Sequence, residues 1–187
     1  MNNNETKKER FIRLLRSTHR KGVEKLITYI EESDFFECPA STKFHLSCKE
    51  GLLIHSLQVY DEFKRLTDRE DINVRLNESG IILVSLLHDI NKINTYKPNI
   101  LKSTKELSTH QPYKFNGNSF PCGHSEKSVI ILLQVGLELS ELEILCIRWH
   151  MNVFDKNYYQ YQDNIKKECP ESIYLFISDY LATLGES

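Results

Sequence analysis

Three apolar runs in this 187-residue chain each carry side chains of the kinds that bind divalent cations. The run IILVSLLHDI ends with His88, Asp89 and an isoleucine, ILCIRWHM contains His150, and SIYLFISDYLATL contains Asp179. An ionised carboxylate that leaves water for a dry interior costs several kcal/mol, so it must be paired, protonated or bound to a metal. Two such aspartates, together with histidines, therefore suggest a shared cation.

An ordinary structural explanation is available for each of these residues. Asp89 has Lys92 three residues further along the chain, and Asp179 has a possible partner in Arg148. A single histidine is more often hydrogen-bonded within a helix or loop than bound to a metal. Taken together, however, imidazole and carboxylate are the ligands that divalent first-row metals select. The adjacent His88 and Asp89 would also hold an ion in a rigid geometry. Spacing alone leaves the ion pairs and the metal site both open.

The motifs around these residues resemble a known family. GLLIHS, then LLHDINK, then ISDYLAT look like the H…HD…D signature of the HD-domain superfamily of metal-dependent phosphohydrolases. The stretches PASTKFH, GLLIHSLQVY, LLHDINKINTY, FPCGHSEKS and IRWHM are similar to small bacterial and phage HD-family hydrolases. The similarity runs from about Pro39 to Thr183 and implies an all-α helical bundle.

The resemblance also implies a set of metal ligands. In the superfamily, the first ion would be bound by His55, His88, Asp89 and Asp179. Members with two extra histidines bind a second ion, with the HD aspartate bridging, and the matching residues here are His124 and His150. One or two divalent ions are therefore expected, with Mn, Fe, Co, Zn, Ni and Mg not distinguished. Such ions bind a phosphate oxygen and activate a hydroxide for in-line attack, so Asp89 would act electrostatically and not as the nucleophile.

Four further residues are candidates for contact with a substrate. Lys92 follows the HD pair and is expected at the rim, where it could meet a phosphate or serve only as a cation at a helix end. On the resemblance alone, His45 is a candidate general acid or substrate donor. Lys127 and Arg148 are candidate anion contacts, although each is more often a solvated helix charge. Asn91 stands where the common HDIGK form of the motif has glycine.

Several functions remain in competition at this stage. The leading hypothesis is hydrolysis of a phosphate ester or anhydride in a small phosphorylated, nucleotide-type substrate. The alternative is a nuclease or phosphodiesterase that acts on short single-stranded or cyclic nucleotides. A di-iron oxygenase is less favoured, because most of the superfamily are hydrolases. A metal-stabilised binding module without catalysis is the last possibility, and an intact ligand set supports it poorly.

Composition limits the partners and the compartment. A net charge of −2 and a pI near 6.4 do not favour long nucleic acid. The five cysteines form no CxxC pair, so we expect reduced thiols in a cytoplasmic protein. The chain shows neither an apolar run long enough to span a membrane nor a secretion signal at its start, so no membrane partner is expected. The oligomeric state stays open.

The elements that must position these residues are predicted to be helices. Apolar residues at helical spacing indicate two amphipathic helices in 5–32, broken near Thr18 to Gly22, and residues 1–34 are expected to pack on the core. Further helices are predicted from Leu52, over 73–92, and at SEKSVIILLQVG, LSELEILCIRWHM and SIYLFISDYLATL. Ser140 and Glu143 resemble a capping box. A long loop or small hairpin is expected at about 97–121, all within one domain, 1–187.

Overall fold

The computed structural model describes residues 5–117 and 120–184. Parts of the predicted N-terminal helical region, of the predicted loop and of the end of the predicted domain lie outside the described residues, at 1–4, 118–119 and 185–187. Within the described part the fold is all-α apart from one small two-stranded sheet, so the predicted fold class is confirmed.

Helices make up most of the described chain. The eight α-helices are α1 (Lys7–Ser17), α2 (Val23–Glu31), α3 (Gly51–Thr67), α4 (Glu78–Leu87), α5 (His124–Val135), α6 (Glu141–Trp149), α7 (Tyr158–Glu168) and α8 (Glu171–Leu184). Short 3-10 turns follow α4 and α6, at Ile90–Lys92 and Asn152–Phe154. The two strands are β1 (Tyr96–Pro98) and β2 (Tyr113–Phe115).

The break predicted between the first two helices lies where the sequence placed it. Gly22 precedes α2 with φ +89°, and a Cβ at this position would collide with the carbonyl of Gly136. Helix α1 packs on α3 and α4 and buries Phe11 and Leu15 completely. The N-terminal helices therefore share one apolar core with the helices that carry the candidate ligands.

The centre of the fold is α3, which packs against both α4 and α8. Helix α4 is apolar on nearly every side, and each of its residues from Gly80 to Leu87 is buried. It is shorter than the predicted helix over 73–92. It starts late because the side chain of Asn77 accepts a hydrogen bond from the amide of Gly80 at 2.8 Å and so caps the helix. It ends at Leu87, and the HD pair lies between α4 and the 3-10 turn.

The segment predicted as a loop or small hairpin contains a hairpin. Strands β1 and β2 pair antiparallel, with Lys97 opposite Lys114. Both strands are half-buried or exposed, so the hairpin stands at the edge of the helical core.

The second half of the chain contains one confirmed cap and one unpredicted helix. Ser140 and Glu143 form the predicted capping box, since Ser140 Oγ accepts from the Glu143 amide and Glu143 Oε2 accepts from the Ser140 amide. Helix α7 was not predicted. Its apolar residues join a small separate cluster of Trp149, Tyr158 and Ile165, so these two aromatic side chains pack internally. Among the described helices, none has both the length and the apolar character needed to cross a bilayer.

Candidate metal centre

The structure brings the six histidines and aspartates singled out as ligands into two adjacent groups. In each group the potential ligand atoms all lie within 4.8 Å of one another. The first group consists of His55, His88 and Asp179, and the second of Asp89, His124 and His150. The sequence hypothesis had placed Asp89 with the first ion and also between the two ions, whereas here it groups with the extra histidines.

Helix packing explains how these side chains meet. His55 lies one turn into α3, Asp179 lies in α8, and His88 directly follows α4. Because α3 packs against both α4 and α8, the three side chains converge on one point. His124 begins α5 and His150 directly follows α6, and these two helices also pack together. His88, His124 and His150 therefore lie at helix ends, where rigid elements position them.

Asp89 lies between the two groups. Its Oδ1 is 2.7 Å from Nε2 of His124 and 3.6 Å from Nε2 of His150. Its Oδ2 is 3.4 Å from Nε2 of His88 and 3.6 Å from Nε2 of His55. Since each oxygen faces histidines of a different group, the carboxylate has the orientation of a bridging ligand.

Backbone carbonyls fix the ring orientation of two histidines. Nδ1 of His88 donates to the carbonyl of Ser85 at 2.8 Å, and Nδ1 of His150 donates to the carbonyl of Ile147 at 2.7 Å. A carbonyl only accepts, so the proton sits on Nδ1 and Nε2 carries a lone pair. Both Nε2 atoms are buried without a hydrogen-bond partner. A buried acceptor left unpaired costs about 1–3 kcal/mol, and a metal ion would satisfy it.

Both aspartates are ionised in this environment. Burial alone would raise the pKa of Asp89, but the Lys92 ammonium, together with the hydrogen bond from His124, holds that pKa well below its usual range. Burial also opposes ionisation of Asp179, whose pKa is lowered because His55 hydrogen-bonds to it. Two carboxylates and four imidazoles fit the donor set that Mn, Fe, Co, Ni or Zn prefers.

Lys92 differs from its expected position at the rim. Lys92 is only 8% exposed, and its Nζ lies 2.6 Å from Oδ2 of Asp89. The ordinary ion pair considered from the sequence is therefore present, and it lies within the cluster of candidate metal ligands. Burial would lower the pKa of Lys92, but Asp89 outweighs burial and raises it, so the ammonium remains charged.

His45 lies beside the first group. Its ring centroid is 5.1 Å from that of His55, and its Nε2 is buried without a hydrogen-bond partner. Burial, reinforced by His55 and Lys92, lowers the pKa of His45 to about 4. The ring is therefore neutral near pH 7 and offers an N–H or a lone pair rather than a positive charge.

The other two predicted anion contacts are engaged elsewhere. Arg148 pairs with Glu126 and Asp155, each at 2.7 Å, and not with Asp179. Lys127 donates to Thr95 Oγ1 at 3.2 Å and lines a separate cavity. Among the described residues that line the cavity over the ligand groups, neither side chain is present.

That cavity has a wall that the sequence analysis missed. It encloses about 230 Å³ and is lined on one side by His45, His55, Asp89, Lys92, His124 and Asp179. The other side is formed by Met151, Phe154, Phe176, Tyr180 and Thr183. Phe176 and Thr183 lie on α8 three residues before and four residues after Asp179, and this helical spacing was available in the sequence. Tyr180 follows Asp179 directly. Met151 and Phe154 lie on the turn after α6, which has no comparable periodicity.

A second missed residue is Asn91. Its Nδ2 donates to Nδ1 of His124 at 2.9 Å, and its Oδ1 accepts from Ser128 Oγ at 3.2 Å. With Nδ1 as the acceptor, Nε2 of His124 carries the proton and donates to Asp89. If the amide were turned over, it would accept from Nδ1–H and release the Nε2 lone pair for a metal. The nearby serine hydroxyl can reverse its role to suit either orientation.

Comparisons with known proteins support one family. The family model described as HD domain matches residues 52–184, which include all six candidate ligand positions. No curated protein and no solved structure matches the chain.

Proposed function

Because the chain belongs to the HD-domain family, whose members are metal-dependent hydrolases, we propose that it hydrolyses a phosphate ester or anhydride of a nucleotide-type substrate. One observation carries the proposal. Two groups of three histidine and aspartate residues lie side by side, and each group has its ligand atoms within 4.8 Å. The buried, unpartnered Nε2 atoms of His88 and His150 support metal binding at both groups.

The ligand residues would hold and orient the ions. His55, His88 and Asp179 would hold one ion, and His124 and His150 the other, with one oxygen of Asp89 facing each group. When bound there, divalent ions would supply Lewis acidity toward a phosphoryl oxygen and toward the attacking water. The Nδ1–carbonyl hydrogen bonds keep the rings of the two buried histidines from turning away.

Lys92 and His45 have roles that follow from their charge states. Lys92 brings a buried positive charge to the cavity wall, where it would offset the negative charge of a phosphate. His45 is neutral and has an unpartnered ring nitrogen, so it would hydrogen-bond to a substrate oxygen. Lys127 and Arg148 have no part in this proposal because their partners lie elsewhere.

The aromatic wall of the cavity supports a nucleotide over a simple phosphate ester. Phe154 and Phe176 have ring centroids 5.9 Å apart, and Phe154 and Tyr180 are 68% and 54% exposed. Large exposed aromatic side chains next to a charged cluster suit a ligand with a flat base and a phosphate. Stacking of a base on an aromatic ring contributes about 1–3 kcal/mol.

A metal-dependent activity screen tests the reaction. Protein stripped with a chelator should release no phosphate or nucleotide product from mononucleotides, cyclic nucleotides or short labelled oligonucleotides. Activity should return on adding Mn, Co or Fe, and His88→Ala should abolish it. Cleavage of oligonucleotides alone would favour the nuclease alternative. Oxygen consumption by the iron-loaded protein, without hydrolysis, would refute the phosphohydrolase.

A matched pair of phenylalanine variants tests the substrate class. Phe154→Ala should raise the KM for the preferred nucleotide about tenfold, the effect of losing one stacking contact. Phe115→Ala removes a similarly exposed ring, 65% against 68%, from the hairpin and should leave the KM unchanged. If Phe154→Ala raised the KM equally for a phosphate ester without a ring, the aromatic wall would not recognise a base.

A further inference from the structure

Two buried thiols from different parts of the chain lie in contact with each other. Sγ of Cys146 lies 3.5 Å from Sγ of Cys169. Cys146 is in α6, whereas Cys169 lies between α7 and α8. Both are free thiols and almost fully buried. The role proposed for the metal centre uses neither of them.

The two sulfurs differ in acidity and in access. The hydrogen bond with Cys169, together with burial, raises the pKa of the Cys146 thiol. For Cys169, the hydrogen bond with Cys146 outweighs burial and lowers the pKa. Cys169 also lines a cavity of about 710 Å³ between α6 and α7 that opens to solvent. Of the two sulfurs, that of Cys169 is therefore on the side of this cavity, and a small oxidant would approach the pair from there.

We propose that Cys146 and Cys169 form an oxidation site for a hydroperoxide and close into a reversible disulfide. The Cys169 thiolate attacks the terminal peroxide oxygen and the O–O bond breaks. The leaving oxygen takes up the proton that the Cys169 thiol gave up and departs as water or an alcohol. Cys169 is then a sulfenic acid. The Cys146 sulfur attacks it, the S–O bond breaks and water leaves. The two thiols lose two electrons and the peroxide gains them.

The disulfide would act on the metal-ligand groups through two helices. A disulfide bond is about 2.05 Å long, so the sulfurs must approach by about 1.5 Å from their present separation. Cys146 lies in α6, four residues before His150, which directly follows this helix. Cys169 lies two residues before α8, which carries Asp179. Oxidation would therefore shift ligands from both groups and lower the amount of metal that the protein retains.

Peptide mapping of the metal-loaded protein tests the disulfide directly. The exposed Cys48 and Cys122 are first replaced by serine, because they would otherwise oxidise between molecules. After treatment with hydrogen peroxide, the intact mass should fall by two hydrogen atoms, and digestion should yield one cross-linked peptide pair containing Cys146 and Cys169. A thiol reductant should restore the original mass.

Two single variants distinguish the roles of the thiols. Cys146→Ser should stop at a sulfenic acid on Cys169 that a dimedone reagent traps, whereas Cys169→Ser should give neither product. Absence of the cross-linked pair from folded, peroxide-treated protein would overturn the oxidation site. This result does not depend on how the variants fold or on the proposed function. Unchanged metal content in the cross-linked protein would overturn the coupling to His150 and Asp179.

Discussion

The buried pair of Asp89 and Lys92 makes a strong prediction for the metal-free protein. The two side chains are only 5% and 10% exposed, and their charged atoms lie 2.6 Å apart. Asp89→Asn keeps the shape of the side chain but removes the charge that Lys92 neutralises. The variant should therefore lose stability as well as metal. A substitution of a solvent-exposed ligand would not leave an unpaired charge in the interior.

The loss in the free energy of unfolding follows from the two protonation states available to Lys92 in this variant. Leaving one member of a buried pair charged and unpaired costs about 3–5 kcal/mol. Deprotonating the lysine at pH 7 instead costs about 4.6 kcal/mol, because its ordinary pKa of about 10.4 lies about 3.4 units higher. We expect Asp89→Asn to lower the free energy of unfolding by about 3–4 kcal/mol. Lys92→Met should cost less, about 1–2 kcal/mol, because neighbouring histidines can take up a proton beside Asp89.

Urea unfolding in excess chelator, followed by circular dichroism, measures these values without a contribution from metal. Asp89→Asn combined with Lys92→Met should be about 2 kcal/mol more stable than Asp89→Asn alone, because no unpaired ammonium remains. As a control, Lys64→Met breaks surface pairs with Asp68 and Glu78 and should cost about 1 kcal/mol or less. If the double variant lost the sum of the two single losses, Lys92 and Asp89 would not be energetically coupled.

Three further predictions concern other contacts. Glu171 accepts from Arg75 through three nitrogens at 2.9 Å, and these bonds outweigh burial and lower its pKa. Ionised Glu171 therefore stabilises the folded protein fully above its unfolded-state pKa of about 4.3. This contribution is lost as the pH falls through the lower pKa that Glu171 has in the folded state. Glu171→Gln should lower the Tm at pH 7 but flatten the fall in Tm below about pH 4, measured by thermal unfolding. Asn91→Gly should weaken binding of the second ion about 10–100-fold in a metal titration, because His124 loses its orienting partner, and leave the first ion bound. Ser140→Ala removes the cap of α6 and should lower the free energy of unfolding by about 1 kcal/mol in urea.

The candidate ligands were accessible from the sequence because they break a strong pattern. His88, Asp89 and Asp179 interrupt apolar helical runs, and a polar group in such a run needs a partner. The confirmed cap at Ser140 and the break before Gly22 were also accessible, since each depends on residues close together in sequence. Local chemistry of this kind acts within one turn and does not require the fold to be known.

Element ends were less predictable because a capping side chain competes with the hydrophobic pattern. Apolar periodicity favoured a helix from residue 73, but Asn77 accepts from the Gly80 amide and starts α4 later. At the other end, the chain leaves α4 after Leu87 and enters a 3-10 turn that ends at Lys92. Lys92 is buried in this turn, whereas a lysine at a helix end was expected to reach solvent.

The hydrophobic pattern could not predict contacts between residues that are distant in sequence. Asn91 departs from the glycine of the common motif, and a side chain added at a buried position must find hydrogen-bond partners. Its partners, His124 and Ser128, lie on α5 more than thirty residues away. No periodicity within the motif could identify them. A departure from a family motif at a buried position thus predicts that a compensating contact exists. Only the packing of α5 against the 3-10 turn reveals that the contact of Asn91 orients the candidate ligand His124.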